Sequence, residues 1–503
     1  MASSQTTGCV ELTTLESHLW EAANILRGPV DASDFKTFIF PLLFFKRISD
    51  VYDEEYAQAL KESDGDIAYA QFAENHRFQI PEGCHWRDVR SKTTNLGQAI
   101  QRSMREIEKA NPNTLYGIFG DAPWSNKDRL SDALLRDLIE HFSRITLANR
   151  DTNDDILGQA YEYLIKKFAD QTNRKAGEFY TPRSVVRLMV KILDPKEGET
   201  IYDPTCGTAG MLLGAIQHVK ESDGNVRKLW GKLFGQEKNL TTSAIARINL
   251  FLHGIEDFQI VRGDTLRDPA FFTGDSLATF DCVIANEPFS VERWGEEMWV
   301  NDRYGRNFAG VPPRISADYA FVQHMLKSMA PGTGRMAVVL PHGVLFRMGV
   351  EGKIRRTILE MDKLEAVIGL GPNLFYGTGL AACILVFRAR KKPEQRHRVL
   401  IINASSVFKK GRNQNYLLSE HVDQIFGWYR EYKNVKGIAK IATLEEIAAN
   451  DYNLNIPRYV EQVSDQEGIS VKQAITNLKT ALADAYAAED RLKTLLRREG
   501  LLK

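Results

Sequence analysis

A doubly wound, mostly parallel α/β sheet with a helical N-terminal domain and a C-terminal helical tail is the fold class predicted by this 503-residue sequence. From Glu199 to about residue 390, short apolar runs alternate with amphipathic segments, the pattern of strands joined by helices. Before that, about 165 residues place apolar side chains at helical spacing between polar turns. At the far end, residues 469–499 contain neither Gly nor Pro. The expected organisation is therefore a helical domain (1–165), a sheet domain (166–415), an extension (416–468) and a terminal helix (469–503).

The elements follow in order. Thr13 as N-cap with Glu16 three residues on reads as a capping box, and Leu15, Leu19, Ala22, Ala23 and Leu26 then recur until Gly28 and Pro29 stop the helix. A second helix over residues 33–50 buries Phe35, Phe38, Ile39, Leu42 and Phe45, with Pro41 kinking it. Residues 111–128 have loop composition and 131–142 return to helical spacing. Buried strands are expected at 200–202, 232–235, 258–261, 280–285, 336–340, 364–369 and 382–387, with helices such as 184–193, 211–220 and 318–329 between them. In the tail, Val471, Ile475, Leu478, Leu482 and Ala485 follow a 4-3-4-3 spacing, which suits a helix packed on its own chain or one docked on a partner.

Composition bounds the function classes. Hydrophobic residues at 43% and charged residues at 26% exclude wholesale disorder. The longest apolar stretches, 38–45 and 380–387, fall well short of the ~20 residues of a membrane span. The N-terminus lacks the basic and apolar regions of a signal peptide. Cys9, Cys84, Cys206, Cys282 and Cys383 are odd in number and scattered, which fits a reducing cytoplasm, with no metal expected. With 65 basic against 65 acidic residues, bulk electrostatics do not supply a free-standing grip on nucleic acid. Locally the balance differs: residues 388–412 hold nine Lys and Arg against Glu394 alone, a candidate contact for phosphate or partner if it is not simply a solvated loop.

Ligands of doubly wound sheets sit at the carboxyl ends of strands, so the turns there are the candidates for chemistry. After the first strand come Asp203, Pro204, Thr205, Cys206, Gly207, Thr208, Ala209 and Gly210, opening into an apolar helix. Small residues admit a ligand to the backbone, the helix start offers free N–H groups, and Asp203 can accept from an ammonium. Thr205 breaks the G-x-G-x-x-G pattern, so a ligand without pyrophosphate is favoured. Glu237 closes the second strand, where a carboxylate can receive both hydroxyls of a ribose. Asp264 follows the third and can accept from an exocyclic amine of adenine. Three acidic strand ends in chain order are hard to dismiss as solvated turns.

The fourth strand leads into Asn286, Glu287, Pro288 and Phe289, which resembles the Asn/Asp-Pro-Pro-Tyr/Phe signature of amino-group DNA methyltransferases. An exocyclic adenine amine is a poor nucleophile because its lone pair is delocalised into the ring. The Asn286 side-chain oxygen and the carbonyl of Glu287 can accept its two N–H bonds and draw the nitrogen toward tetrahedral geometry. Phe289 can stack on a base flipped out of the duplex. Upstream, Gly177, Glu178, Phe179, Tyr180, Thr181, Pro182 and Arg183 match the segment that in this family closes over the methionine end of the cofactor, in the order of the gamma class. Segments at 309–314, 317–324, 338–346 and 371–379, with 41–50 near the N-terminus, are similar to the modification (methylation) subunit of type I restriction–modification systems, and the resemblance runs from about residue 10 to about 390.

That resemblance implies an adenine-N6 DNA methyltransferase of S-adenosylmethionine-dependent fold. It acts with a specificity subunit, with a restriction (motor nuclease) subunit for cleavage, and with two modification subunits per complex. It assigns Glu178, Phe179, Tyr180, Thr181, Pro182, Arg183, Asp203, Gly207, Thr208, Ala209, Gly210, Glu237 and Asp264 to S-adenosyl-L-methionine, and Asn286, Glu287, Pro288 and Phe289 to catalysis on a flipped adenine in DNA. His342, past a strand tip, reads as structural. The chain departs from the family at Glu287, where the signature has proline, which puts a carboxyl near the approach of DNA phosphates. A cofactor-binding scaffold with impaired catalysis and a protein-glutamine methyltransferase are the alternatives.

Overall fold

In a computed structural model of the chain, the described residues are 10–150, 152, 154–172, 180–376, 378–412, 414–461 and 471–502. The N-terminal apolar spacing produces helices α1 (Leu12–Ile25), α2 (Phe35–Glu62), α3 (Leu96–Ala110), α4 (Asp132–Phe142) and α5 (Asp154–Thr172). Ser131 caps α4 by accepting the Leu134 N–H at 3.2 Å. The capping box expected at Thr13 does not form: α1 begins two residues earlier than that cap would start it, Glu11 occupies the N-cap without a side-chain bond, and Thr13 lies inside the first turn. The second helix also departs from its expected 33–50, running through Pro41 to Glu62. Burial of Phe38, Phe40, Phe44 and Phe45, at ~1.5–3 kcal/mol each, outweighs the one backbone bond that proline removes.

Nine strands form one sheet: β1 (Ile201–Asp203), β2 (Leu233–Glu237), β3 (Gln259–Arg262), β4 (Cys282–Asn286), β5 (Arg335–Pro341), β6 (Leu364–Leu370), β7 (Ala382–Arg388), β8 (Arg398–Ala404) and β9 (Ala439–Thr443). Their spatial order is β9-β8-β6-β7-β5-β4-β1-β2-β3. All neighbours are parallel except β7, antiparallel to β5 and β6, and β9, antiparallel to β8. All seven expected strands are present, although β3, expected as a buried strand, lies at the sheet edge and is largely exposed; β8 and β9 are additional.

Alternation along each strand feeds two cores. Ile201, Cys282, Ile284, Ala337 and Val339 face helices α6 (Arg183–Leu193), α7 (Gly210–Glu221) and, further on, residues 419–431. Tyr202, Val283, Ala285, Met336 and Val338 face α9 (Asp318–Lys327) and α10 (Val350–Glu360). Between β2 and β3, α8 (Leu240–Leu252) is apolar on two sides. Ala246 and Leu250 pack on the sheet, while Ile245, Ile248, Phe251 and Leu252 enter the core of the N-terminal helices, where Phe251 stacks on Phe44 with centroids 5.8 Å apart. The helical region therefore rests on the sheet through α8, and Tyr161 of α5 donates to the Ile245 carbonyl at 3.1 Å.

The C-terminal segments complete the picture. Residues 416–461, read from sequence as an extension, supply α11 (Ser419–Glu431), packed against α6, and the edge strand β9, so they share the sheet's core. The basic stretch 388–412 is not a continuous solvated loop, since it contains β8. Arg388 pairs with Glu365 at 2.8 Å, and buried Lys391 pairs with Asp362 at 2.6 Å. The other seven basic side chains, including Arg390, Lys392 and Lys409, remain exposed. Finally, along α12 (Val471–Arg498) Ile475, Leu478, Leu482, Tyr486, Leu492 and Leu495 are all exposed, so among the described residues this stripe is not covered by its own chain. Among the described residues, no helix is long and apolar enough to cross a membrane.

Candidate active site

Strand order reverses between β1 and β4, and that switch point brings Asp203 and Asn286 to adjacent strand ends. Asp203 is 1% exposed and accepts the Thr205 N–H at 2.9 Å. Burial, with the nearby Glu237 carboxylate adding to it, pushes its carboxyl up to about 8 against the pull of that N–H. The chain then turns sharply, with Gly207 at φ +52° and Ala209 at φ +66° in the left-handed region, before α7 begins. For a non-glycine residue that conformation costs roughly 1–2 kcal/mol, and the burial of the Ala209 methyl holds it in place. Gly235 on β2 is required beside this turn, because a Cβ there would lie 2.9 Å from the Cys206 sulfur.

Neighbouring strands brace the turn. Glu237 accepts N–H bonds from Gly207 at 3.1 Å and Asn239 at 2.7 Å, and burial raises its carboxyl above the ordinary range while those N–H groups oppose the rise. Asn249, inside α8, donates to the Thr208 carbonyl at 2.8 Å. Asp264 stands at the end of β3, where it accepts the Leu266 N–H at 3.1 Å and pairs with Lys238 at 2.9 Å.

At the end of β4, the Asn286 amide donates to Thr181 Oγ1 at 3.0 Å, while Asn286 Oδ1 is buried and accepts no hydrogen bond. Phe289, half-buried, meets Phe375 edge to face at 5.9 Å. Glu287 does not face the surface where phosphates would approach: it is 2% exposed and turned inward. His342 is half-buried beside Gly369 and held below the usual imidazole range by that burial.

A cavity of 730 Å3 lies at this edge, lined by Tyr180, Thr181, Arg183, Asp203, Gly207, Thr208, Gly210 and Asn286 among others. Its size suits a small-molecule ligand. Pro182 lines a neighbouring crevice of 390 Å3 with Tyr180 and Arg183, and Arg183 pairs with Glu162 of α5. Ala209 is buried behind the turn. Glu237 and Asp264 stand one and two strands further along, outside the lining, with Glu237 linked to it through Gly207. Glu178 and Phe179 lie outside the described residues, as does Gly177.

Sequence reasoning missed three contributors. Asn249 carried a signal, an amide within an otherwise apolar helical run. Asp318, at the start of α9, accepts the Ser290 N–H at 2.7 Å and pairs with Arg347, and neither residue could be linked to the Asn286 turn from local sequence.

The chain was then compared with known proteins. The N-6 DNA Methylase family matches residues 152–468 and the HsdM N-terminal domain matches 15–142. The MjaVII type I restriction enzyme methylase subunit of Methanocaldococcus jannaschii is 31% identical over 482 residues, covering 91% of this chain and 79% of that protein. The HindI methylase subunit of Haemophilus influenzae is 29% identical over 423 residues, covering 81% and 92%. The crystal structure of a type I restriction–modification methyltransferase subunit from Streptococcus thermophilus superimposes with a TM-score of 0.76 at 29% identity, covering 90% of this chain and 100% of that one. The protein therefore belongs to the N-6 DNA methylases, as a methylase subunit of the type I restriction systems.

Proposed function

We propose that this chain, an adenine-specific DNA methyltransferase, holds S-adenosyl-L-methionine in the 730 Å3 cavity and presents a flipped adenine at Asn286. The observation that carries the reading is the placement of Asp203 and Asn286 at the ends of adjacent strands around one cavity, with Asn286 Oδ1 buried and without a partner among the described residues. The residues lining the cavity fit the methionine part of such a cofactor, and Glu237 and Asp264 stand beyond the lining on the next two strands, where its nucleoside would extend. Asp203 accepts the ammonium and becomes ionised beside it, the backbone from Gly207 through Thr208 and Ala209 to Gly210 borders the ligand, and Glu237 receives ribose hydroxyls. Asp264 accepts from the adenine amine. Tyr180, Thr181, Pro182 and Arg183, continuing Glu178 and Phe179, close over the methionine end. When bound, S-adenosylmethionine supplies a sulfonium methyl group.

On the target side, Asn286 Oδ1 and the Glu287 carbonyl accept the two N–H bonds of the adenine amine, which takes its lone pair out of conjugation with the ring. Pro288 holds Glu287 extended, and Phe289 stacks on the base. Assembly fits the same reading: the exposed apolar stripe of α12 suits a specificity subunit, with a restriction subunit and a second methylase subunit completing the enzyme. Labelled-methyl transfer to DNA tests this. The chain assembled with its co-encoded specificity subunit should label adenine N6, the chain alone should label it poorly, and Asn286→Ala in the complex should not label it. Equal labelling by Asn286→Ala, or labelling of protein glutamine instead, would refute the assignment. Truncation after Gly468 should abolish assembly and leave cofactor binding intact.

A further inference from the structure

Glu287, the residue that departs from the family signature, sits in an unusual electrostatic position. Its side chain is 2% exposed, and neither carboxyl oxygen has a hydrogen-bond partner. Beside it stands Asp318, fully buried, whose Oδ1 accepts the Ser290 N–H at 2.7 Å and whose Oδ2 pairs with Arg347. Arg347 Nε lies 2.7 Å from Glu351 Oε2, and Ser316 donates to the other Glu351 oxygen at 3.2 Å. Arg355, also buried, donates to the Arg347 and Val344 carbonyls and adds a second positive charge. From β7, Cys383 approaches both Glu287 and Asp318, its thiol pushed up chiefly by burial. Two guanidiniums thus match two carboxylates, Asp318 and Glu351. The third carboxyl, Glu287, has no counter-charge, and an unpaired buried carboxylate is far costlier than the neutral acid. Burial first, and the Asp318 charge second, hold Glu287 well above the carboxylate range.

We propose that Glu287 is a positioning residue that works as an uncharged acid, keeping the turn from Asn286 to Ser290 seated on Asp318 only while it carries its proton. The inference rests on the assignment of Asn286 to the target amine. Ionised, Glu287 would set a second negative charge against Asp318, and because its backbone joins Asn286 directly, any outward swing of Glu287 moves the Asn286 oxygen as well. Among the described residues, the carboxylates assigned to the cofactor on β1 and β2, Asp203 and Glu237, are braced by their own turns and make no hydrogen bond to this cluster.

The test is methyl transfer to DNA by the assembled complex from about pH 6.5 to about pH 9.5, for the native chain and for Glu287→Gln. Each is normalised to its own rate at neutral pH, with cofactor affinity measured in parallel. Gln matches the shape of the neutral acid and cannot ionise. The native kcat should be lost relative to Glu287→Gln toward the alkaline end, the Glu287→Gln profile should stay level, and cofactor affinity should follow the same pH course in both. Parallel profiles for the two proteins would overturn the proposal, as would an inactive Glu287→Gln that folds and binds cofactor. Asn286→Ala separates this from the parent reading: activity in that variant removes the site assignment itself, whereas an inactive Asn286→Ala beside parallel profiles removes only the role of Glu287.

Discussion

On the half of the carboxyl edge assigned to the cofactor, the carboxylates are braced from close by in sequence. Asp203 holds the N–H of Thr205 and Glu237 that of Asn239, each two residues away, while longer links join Glu237 to Gly207 and Asn249 to the Thr208 carbonyl. On the half assigned to the target base, the turn at Asn286 is held by Asp318, 28 residues on from Ser290, which is in turn held by Arg347, another 29 on. A strand-to-helix turn can orient a small ligand by itself. An amine on a large, incoming polymer meets a side chain whose support comes from a separate layer of the fold. The two halves should therefore fail separately.

The largest effect is expected from Asn286→Ala, which should lower kcat by at least ~10²–10³, below what the labelling assay detects, as for loss of one preorganised hydrogen-bonding group. Calorimetry should find cofactor affinity unchanged, and an equal loss of affinity would erase the division between the halves. Glu237→Ala should weaken cofactor binding by ~1.5–3 kcal/mol, as removal of a charge-assisted partner. Unaltered affinity would exclude Glu237 from the ribose. The effect of Asp203 is one of pH. Its folded carboxyl, raised to about 8, keeps a proton that the unfolded chain has already lost, so this group makes the free fold less stable as pH rises toward that value. A bound ammonium reverses the preference, so binding releases the proton. Cofactor affinity should climb between about pH 6 and pH 7.5, by at most ~10-fold per unit, and Asp203→Asn should flatten the slope. The smallest change belongs to Asp264→Ala, at about 1 kcal/mol or less, because that carboxylate already pairs with exposed Lys238. A greater loss of affinity would mean that the adenine amine contact dominates recognition.

These contrasts also explain what the sequence made legible. Apart from the exposed edge strand β3, β1 to β7 are inner strands built as apolar runs bounded by turns, so they could be found one at a time. The run 398–404 is no less apolar, yet it is embedded among basic residues, and charge drew the eye from periodicity. The five-residue β9 is half-exposed at the sheet edge, and its strand character depends on pairing with β8. At the site, the acidic strand ends could be read in chain order because each is a local feature. The support of Asp318 and Arg347 for the Asn286 turn arises only when α9 and the loop after β5 fold over the same face. Whether Glu287 points to solvent or into the core is likewise a tertiary property, and no neighbour in sequence decides it.

The exposed helix α12 bears on the subunit's life in the cell. A solitary copy displays a row of large aliphatic side chains of the kind that chaperones and proteases detect. On the proposed assembly with a specificity subunit, copies made in excess of that subunit should be cleared first, so the methylase subunit would persist only in proportion to it. In a cell, pulse-labelled chain should have a shorter half-life when expressed alone than when co-expressed, and removing α12 should lengthen the solitary half-life.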